Sequence, residues 1–155
     1  PYVSNEIANY LLTKHFETAA DYTVANRFSV GTSMEIISSS ALKRVKQFFP
    51  SADYSEYMTW YFQNNPEYFR LNFVDLPNEW IRDYRLTLDY QEDLDVFNKI
   101  ESYFKLNNLN FSIKELYKFL DENPKVNQLN SHISLVYKTD QDLIKILNEK
   151  TKIHE

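Results

Sequence analysis

The chain alternates between two spacings of apolar residues, and each change of spacing marks the start of a new secondary structure element. Apolar residues three or four positions apart predict amphipathic helices, whereas short runs of β-branched and aromatic residues predict strands. The predicted helices begin near Ser4, Ser38, Asp53, Asp89, Ser112 and Thr139. The predicted strands cover residues 19–25, 33–37, 68–74 and 85–88. This order of elements favours an α/β fold with a small mixed sheet flanked by helices.

Three of the predicted helix starts have the capping-box spacing, in which a Ser or Asp precedes a Glu by three residues. The pairs are Asp53 with Glu56, Asp89 with Glu92, and Ser112 with Glu115. We therefore expect Asp53, Asp89 and Ser112 to be helix N-caps. The helix after Asp89 is predicted to place four apolar residues on one side: Leu94, Phe97, Ile100 and Phe104.

The composition indicates a folded protein with a large aromatic core. The chain has 155 residues, of which 43% are hydrophobic and 16% are aromatic. Its 12 tyrosines and 11 phenylalanines supply enough apolar surface for a core, unlike the residues of a disordered segment. A chain of this length fits one compact domain.

Charge and cysteine content exclude several classes of protein. The formal net charge of -5 repels nucleic acid, and no basic block reverses it. The absence of cysteine excludes disulfides, thiol catalysis and thiolate metal sites, and it suits a cytoplasmic protein. Because no apolar run approaches the roughly 20 residues that span a bilayer, we expect no membrane partner. The scattered positions of His15, His132 and His154 give no reason to expect a zinc site.

The glycine count excludes a glycine-rich phosphate-binding loop. The chain has one glycine, Gly31, where average usage of about 7% would give roughly eleven. A loop that cradles phosphates needs several glycines close together, for positive φ angles and for close approach of the backbone. We therefore expect any phosphate-binding loop to lie outside this chain.

Several short blocks match, in order and spacing, the motifs of one enzyme family. Residues 85–94 read RLTLDYQEDL where that family has R-L-T-V-D-T-P-E-D-L, and residues 20–26 read ADYTVAN where it has A-D-Y-V-S-N. Four further stretches resemble blocks of that family: residues 31–36, 55–59, 111–124 and 129–133. The chain thereby resembles the C-terminal half of the acylneuraminate cytidylyltransferase and spore-coat polysaccharide nucleotidyltransferase family.

The resemblance implies a fold and a domain organisation. The fold is the C-terminal portion of a three-layer α/β fold of the nucleotide-diphospho-sugar transferase type. The resemblance implies that residues 1–138 belong to this domain, and we expect residues 139–155 to form a C-terminal helical extension. The family carries its glycine-rich phosphate loop in the N-terminal half, so the isolated chain is expected to be inactive.

The resemblance also implies a metal and phosphate site around the RLTLD block. Asp89 takes the position of a carboxylate that binds Mg²⁺ beside the nucleotide phosphates. Arg85 takes a position that faces a phosphate or the acid group of a sugar. From the residues alone, capping explains Asp89, and a surface ion pair with Glu92 or another carboxylate explains Arg85, so both interpretations stay open.

Four further residues match positions that the resemblance places near the substrate: Asn26, Glu35, Glu56 and Thr59. A carboxylate such as Glu35 suits acceptance of a hydrogen bond from a sugar hydroxyl. The alternatives are an outward-facing strand residue for Glu35, a capping role for Glu56 and a turn residue for Asn26. No residue is assigned as the catalytic group.

The chain departs from the family pattern at several positions. Ser55 and Tyr57 replace an Arg and a His, Ser33 replaces an Asp, and Gln91 replaces a Pro. These changes alter the sugar-facing positions, so the sugar is not carried over from the family. They also admit a non-catalytic relative of the family.

Two functions follow from these observations. The first is part of a cytoplasmic, homodimeric nucleotidyltransferase whose partners are a nucleoside triphosphate and a sugar. It would transfer CMP from CTP to a sugar or sugar acid for surface polysaccharide or glycan biosynthesis, with Mg²⁺ as cofactor. The alternative is a non-catalytic dimerisation or sugar-binding module derived from that family.

Overall fold

The computed structural model describes residues 2–154. The α-helices of this range are α1 (Asn5–Glu17), α2 (Ser39–Phe48), α3 (Met58–Gln63), α4 (Gln91–Leu106), α5 (Ile113–Glu122), α6 (Pro124–Asn127), α7 (Val136–Thr139) and α8 (Gln141–Lys150). The strands are β1 (Tyr22–Ala25), β2 (Ile36–Ile37) and β3 (Leu71–Val74). Two 3₁₀ helices cover Ser55–Tyr57 and Asn78–Trp80.

The chain divides into two compact units, each assembled from three separate stretches. The first unit comprises the residues before Leu11, Ala25–Met34 and Asp75–Ile133. The second unit comprises Leu11–Val24, Glu35–Val74 and the residues after Ile133. Each unit is therefore closed by contacts between stretches that lie far apart in the sequence.

The second unit carries a mixed three-stranded sheet with β1 at its centre, in the order β2-β1-β3. Strand β1 pairs antiparallel with β2, with Tyr22 opposite Ile37 and Thr23 opposite Ile36. All four residues of β1 are buried. A strand covered on both faces has no solvent side, which explains why this segment lacks a strict apolar–polar alternation.

Aromatic side chains fill the interior of the second unit. The Tyr22 ring stacks on Phe62, with 5.2 Å between ring centroids, and Phe69 meets Phe62 edge-on at 4.9 Å. The Phe49 ring meets Tyr61 edge-on at 4.8 Å. These contacts explain the aromatic content, because offset and edge-to-face pairs add to the gain from burial.

Helices α4 and α5 form the main layer of the first unit. The Tyr103 ring stacks on Phe119, with 4.4 Å between ring centroids. The buried face of α4 consists of Asp93, Val96, Ile100 and Phe104. The predicted face was wrong in its first turn, because Leu94 is 40% exposed and Asp93 is buried in its place.

The first unit also contains the close approach that explains the single glycine. The Leu86 N–H donates to Val30 O at 2.8 Å, and Gly31 follows with φ of +95°. A Cβ atom on Gly31 would lie 2.0 Å from Leu86 O. Both the backbone angle and the lack of space therefore require glycine here.

One predicted strand does not form. Residues 85–88 contribute a single parallel bridge, between Arg85 and Val30. The other predicted strands form in shortened versions. Beyond this bridge, the Thr32 carbonyl accepts the Ser4 N–H at 2.9 Å and the Thr32 N–H donates to Ser29 O at 3.0 Å, so both backbone groups of Thr32 are already paired.

Two of the three predicted capping boxes are wrong, and the Ser112 cap is confirmed. Ser112 Oγ accepts the Glu115 N–H at 3.2 Å at the start of α5. At Asp53 the chain instead enters a 3₁₀ helix at Ser55, with no side-chain cap hydrogen bond. Asp89 does not cap α4, because the N-cap residue is Tyr90, whose N–H donates to Asp93 at 3.1 Å.

Candidate functional site

Asp89 lies just before α4 and presents its carboxylate to solvent. Its side chain is 59% exposed, and its Oδ2 accepts a hydrogen bond from Arg85 Nη2 at 2.8 Å. An exposed carboxylate fixed on one oxygen keeps its other oxygen turned to a possible ligand. Asp89 therefore combines exposure to solvent with a hydrogen bond that restrains its side chain.

Arg85 is the buried partner that holds Asp89 in place. The residue is only 8% exposed, and its guanidinium forms a two-point contact with Asp93. Nε donates to Asp93 Oδ1 at 2.9 Å and Nη2 donates to Asp93 Oδ2 at 3.0 Å. The partners of Arg85 are thus Asp89 and Asp93, and Glu92, which the sequence had suggested, is not among them.

Asp93 is the central acceptor of this site. Its carboxylate is fully buried and also accepts the backbone N–H groups of Asp89 and Tyr90, at 3.0 and 3.1 Å. Burial alone would raise the pKa of Asp93. The hydrogen bonds from Arg85, the two backbone amides and Asn130 outweigh burial and lower the pKa to about 2.

Asn130 completes the group from a distant part of the chain. Its Nδ2 donates to Arg85 O at 2.9 Å and to Asp93 Oδ1 at 2.8 Å. The side chain is fully buried, and its Oδ1 accepts no hydrogen bond from the described residues. We call Arg85, Asp89, Asp93 and Asn130 the Asp93 network.

Sequence reasoning missed Asp93 and Asn130 as members of the site. Asp93 belongs to an acidic run with Glu92 and Asp95 that lies inside the predicted helix. The available signal was its spacing, because Asp93 lies three and seven residues before Val96 and Ile100, on the buried side of α4. An acidic residue on an apolar stripe indicates a buried partner.

Asn26 lies in the same unit, in the loop after β1. Its Nδ2 donates to Asp75 Oδ1 at 2.7 Å. This contact ties two loop segments that are 49 residues apart. A role of Asn26 toward substrate stays a prediction.

The second unit brings two of the predicted residues together. Thr59 Oγ1 donates a short hydrogen bond to Glu35 Oε1. The Tyr22 hydroxyl donates to Thr59 Oγ1 at 3.5 Å, and Gln63 Nε2 donates to the Tyr22 hydroxyl at 3.4 Å. Burial, with a further contribution from the Glu35 charge, raises the pKa of Tyr22, so its hydroxyl stays protonated as a donor.

Glu56 lies near this pair in sequence and is exposed in the 3₁₀ helix Ser55–Tyr57. The capping interpretation of Glu56 is wrong, because the Asp53 cap on which it depended is absent. Thr59 follows in the first turn of α3. The second unit therefore presents a hydrogen-bonded carboxylate, Glu35, and an exposed one, Glu56.

Comparison with known proteins adds the decisive observation. No family model matches the chain. Spore coat polysaccharide biosynthesis protein SpsF of Bacillus subtilis is 28% identical over 128 residues, which cover 81% of this chain and 47% of that protein. A solved cytidylyltransferase of Leptospira borgpetersenii superposes with a TM-score of 0.71, at 24% identity, over 87% of this chain and 57% of that one.

The chain is similar in sequence to SpsF and in fold to a solved cytidylyltransferase. A second relative, the uncharacterized protein MJ1063 of Methanocaldococcus jannaschii, is 28% identical over 125 residues, which cover 80% of this chain and 49% of that protein. The chain thus spans about half the length of the curated relatives it matches. That the matched half is the C-terminal one stays a prediction.

The metal that the family implies can be tested against these residues. Within residues 2–154, no three His, Cys, Asp or Glu side chains are grouped to hold a metal ion. Mg²⁺ usually takes one or two carboxylates and completes its octahedron with water and phosphate oxygens. Among the described residues, Asp89 offers one exposed carboxylate of the kind that such an ion takes, and no independent metal cage is present.

The described helices include no candidate membrane span. Across residues 2–154, no helix has both the length and the apolar character needed to cross a bilayer. The longest described helix, α4, has 16 residues and six charged side chains.

Proposed function

We propose that the chain is part of a nucleotidyltransferase that transfers CMP from CTP to a sugar or sugar acid for surface polysaccharide or glycan biosynthesis. The observation that carries the proposal is the exposed Asp89 carboxylate, fixed by the buried Arg85 inside the RLTLD block. The name of SpsF supports the biosynthetic context, and the likeness to a solved cytidylyltransferase supports the transfer of a cytidylyl group.

The proposed reaction is an in-line displacement at phosphorus. A sugar hydroxyl oxygen bonds to the α-phosphorus of CTP, the bond between the α-phosphorus and its bridging oxygen breaks, and pyrophosphate leaves. Bound Mg²⁺ would neutralise charge on the phosphate oxygens. Asp89 would be its protein ligand, and Arg85 would hold the Asp89 carboxylate in position. We assign no residue to the base that takes the hydroxyl proton.

The second unit supports a role in sugar binding. Glu35 accepts from Thr59 through one oxygen, so its carboxylate is oriented before a ligand arrives. An oriented carboxylate accepts sugar hydroxyl hydrogen bonds with little further loss of conformational entropy. We propose that Glu35 and Thr59 contact the sugar, and that Glu56 and Asn26 contribute polar groups to substrate binding.

The proposal includes the partners and the setting. A nucleoside triphosphate and a sugar are the proposed small-molecule partners, and a cytoplasmic homodimer is the proposed form of the protein. The non-catalytic alternative is favoured by one observation, which is that Arg85 is already paired with two carboxylates of its own chain. An arginine neutralised in this way attracts a phosphate less strongly.

Pyrophosphate release from CTP, measured against a panel of sugars and sugar acids, tests the proposal. The complete native gene product is expected to release pyrophosphate with one of them, and Asp89→Asn is expected to lower kcat/KM by about 100-fold. The matched control is Asp95→Asn, an exposed Asp on α4, which should change kcat/KM less than twofold. Equal activity of Asp89→Asn and wild type would contradict the proposed role.

The chain by itself is the second arm of the test. It is expected to bind CTP with Mg²⁺ weakly by calorimetry and to release no pyrophosphate, because it has no glycine-rich loop. Turnover by the chain alone would show that the phosphate grip lies within these 155 residues.

A further inference from the structure

The Asp93 network has more hydrogen bonds than an exposed ion pair requires. Asp93 is fully buried and accepts five hydrogen bonds from four residues, whereas Asp89 is 59% exposed. Burying a carboxylate costs free energy unless its oxygens accept hydrogen bonds. The donors to Asp93 are the Arg85 guanidinium, the Asp89 and Tyr90 N–H groups and the Asn130 side chain. The exposed Asp89 carboxylate is therefore supported by the buried Asp93 carboxylate, whose hydrogen bonds are satisfied.

Asp93 controls Asp89 in two ways. It accepts the Asp89 N–H at 3.0 Å, which fixes the backbone from which the Asp89 side chain extends. It also holds Arg85 through two hydrogen bonds, and the same Nη2 atom donates to Asp89 Oδ2. A bidentate arginine contact fixes the plane of the guanidinium, so the second donor direction is fixed as well.

Asn130 supports this arrangement from the other side. It donates to Asp93 Oδ1 and to the carbonyl oxygen of Arg85, at 2.8 and 2.9 Å. The Asn130 side-chain amide thereby links the Arg85 backbone to Asp93, which accepts the hydrogen bonds of the Arg85 guanidinium. The Tyr90 ring covers the exposed side of the guanidinium, with the guanidinium carbon 5.4 Å from the ring centroid.

We propose that Asp93 and Asn130 are positioning residues that orient the Asp89 carboxylate toward a divalent cation bound to a nucleotide polyphosphate. Neither residue touches the ligand. This inference rests on the proposed function, because Asp89 has a ligand only if that function is right. The local order that Asp93 imposes on Asp89 is present in the free protein and is measurable there.

Amide hydrogen exchange in the ligand-free chain tests the positioning role. Asp93→Asn preserves the size of the side chain but removes its charge. The new amide NH₂ group also faces the N–H donors that the carboxylate accepts in wild type. The Asp89 and Tyr90 amides are expected to exchange about tenfold faster, beyond any change predicted from the global free energy of unfolding. Asp95→Asn is the matched control on the same helix and should leave both amides unchanged.

A purely structural role gives a different result. In that case Asp93→Asn would accelerate exchange of all core amides of α4 and α5 by one common factor, with no excess at Asp89 and Tyr90. That result would overturn the inference. Asn130→Ala provides a second variant if Asp93→Asn fails to fold, with about threefold faster exchange expected at the same two amides. Unchanged exchange in Asn130→Ala would overturn the inference as well.

Paramagnetic broadening by Mn²⁺ with CTP, measured in the complete native gene product and its variant, separates this inference from the proposed function. In wild type, the Asp89 resonance should broaden, and in Asp93→Asn the Mn²⁺ concentration for equal broadening should rise about tenfold. Altered local exchange without any broadening in wild type would support the positioning role and refute the nucleotide-binding function. Equal broadening in both proteins would refute the positioning role and leave the function intact.

Discussion

At the scale of single residues, most surface positions tolerate many residue types, whereas a few positions accept only one. Gly31 is the clearest of these, because its φ of +95° and the nearby Leu86 carbonyl both exclude a side chain. Three non-glycine residues also have positive φ, Ala19, Ala52 and Asn108, but their values of 47° to 50° lie in the left-handed helical region. L-residues tolerate that region at a moderate cost.

Gly31→Ala is therefore expected to destabilise the protein by roughly 2–4 kcal/mol, from backbone strain and overlap with Leu86. Chemical denaturation followed by circular dichroism measures this change. The control is Ala52→Gly, which removes a β-carbon from a positive-φ position and should change the free energy of unfolding by less than about 1 kcal/mol. A Gly31→Ala protein as stable as wild type would show that the loop can move away from Leu86.

At the scale of elements, one carboxylate joins three of them. Asp21 precedes β1, and its Oδ2 accepts from Arg44 of α2 at 2.8 Å and from the Arg70 N–H before β3 at 2.9 Å. Burial raises the pKa of Asp21, but the hydrogen bonds and charges of Arg44 and Arg70 outweigh it, so the pKa falls below its usual value. Asp21 therefore stabilises the junction as a carboxylate.

The pH dependence of stability follows from this shift. Because the pKa of Asp21 is lower in the folded state, its stabilisation is present above the unfolded value of about 3.9 and is lost as pH falls through the folded value. Asp21→Asn is expected to cost about 1.5–3 kcal/mol at pH 7. Urea unfolding from pH 7 to pH 2.5 should show this cost shrinking below about pH 4.

The control for this series is Asp53→Asn, an exposed carboxyl whose only described partner is the nearby Ser51 hydroxyl. It should change stability by less than about 0.5 kcal/mol at every pH. A cost of Asp21→Asn that stayed constant down to pH 2.5 would mean that the charge of Asp21 contributes nothing.

At the scale of the whole molecule, each unit is closed by contacts between distant parts of the sequence. In the second unit, Asn65 is fully buried and ties α3 to the chain after α8. Its Nδ2 donates to Thr151 O at 2.7 Å, and its Oδ1 accepts the Ile153 N–H at 2.8 Å. The C-terminal segment, which the family resemblance does not cover, is thus an integral part of this unit.

Asn65→Ala is expected to destabilise the protein by about 3 kcal/mol, because it leaves buried backbone groups near Thr151 and Ile153 without partners. Thermal unfolding measures the loss, and amide exchange after Leu147 should accelerate with it. Asn148→Ala, an exposed asparagine on α8, is the control and should stay within about 0.5 kcal/mol of wild type. Equal stability of the two variants would mean that the C-terminal segment is not held by Asn65.

Local interactions explain which elements were predictable. The spacing of apolar residues together with Ser112, Ser38 and Asp140 specifies the starts of α5, α2 and α8, because an N-cap needs only groups within three residues. The resemblance to the nucleotidyltransferase family and the α/β class also came from the sequence, since both depend on the order of motifs and elements.

Tertiary structure alone decided the site. The sequence placed Arg85 beside Asp89 but did not reveal that Asp93 is buried or that Asn130 reaches it over 37 residues. The tertiary structure also reduced the predicted 85–88 strand to one bridge and placed the N-cap of α4 at Tyr90, whose N–H donates to Asp93. The physical reason is that a buried charge is stable only where distant groups supply its hydrogen bonds, and local spacing carries no record of those groups.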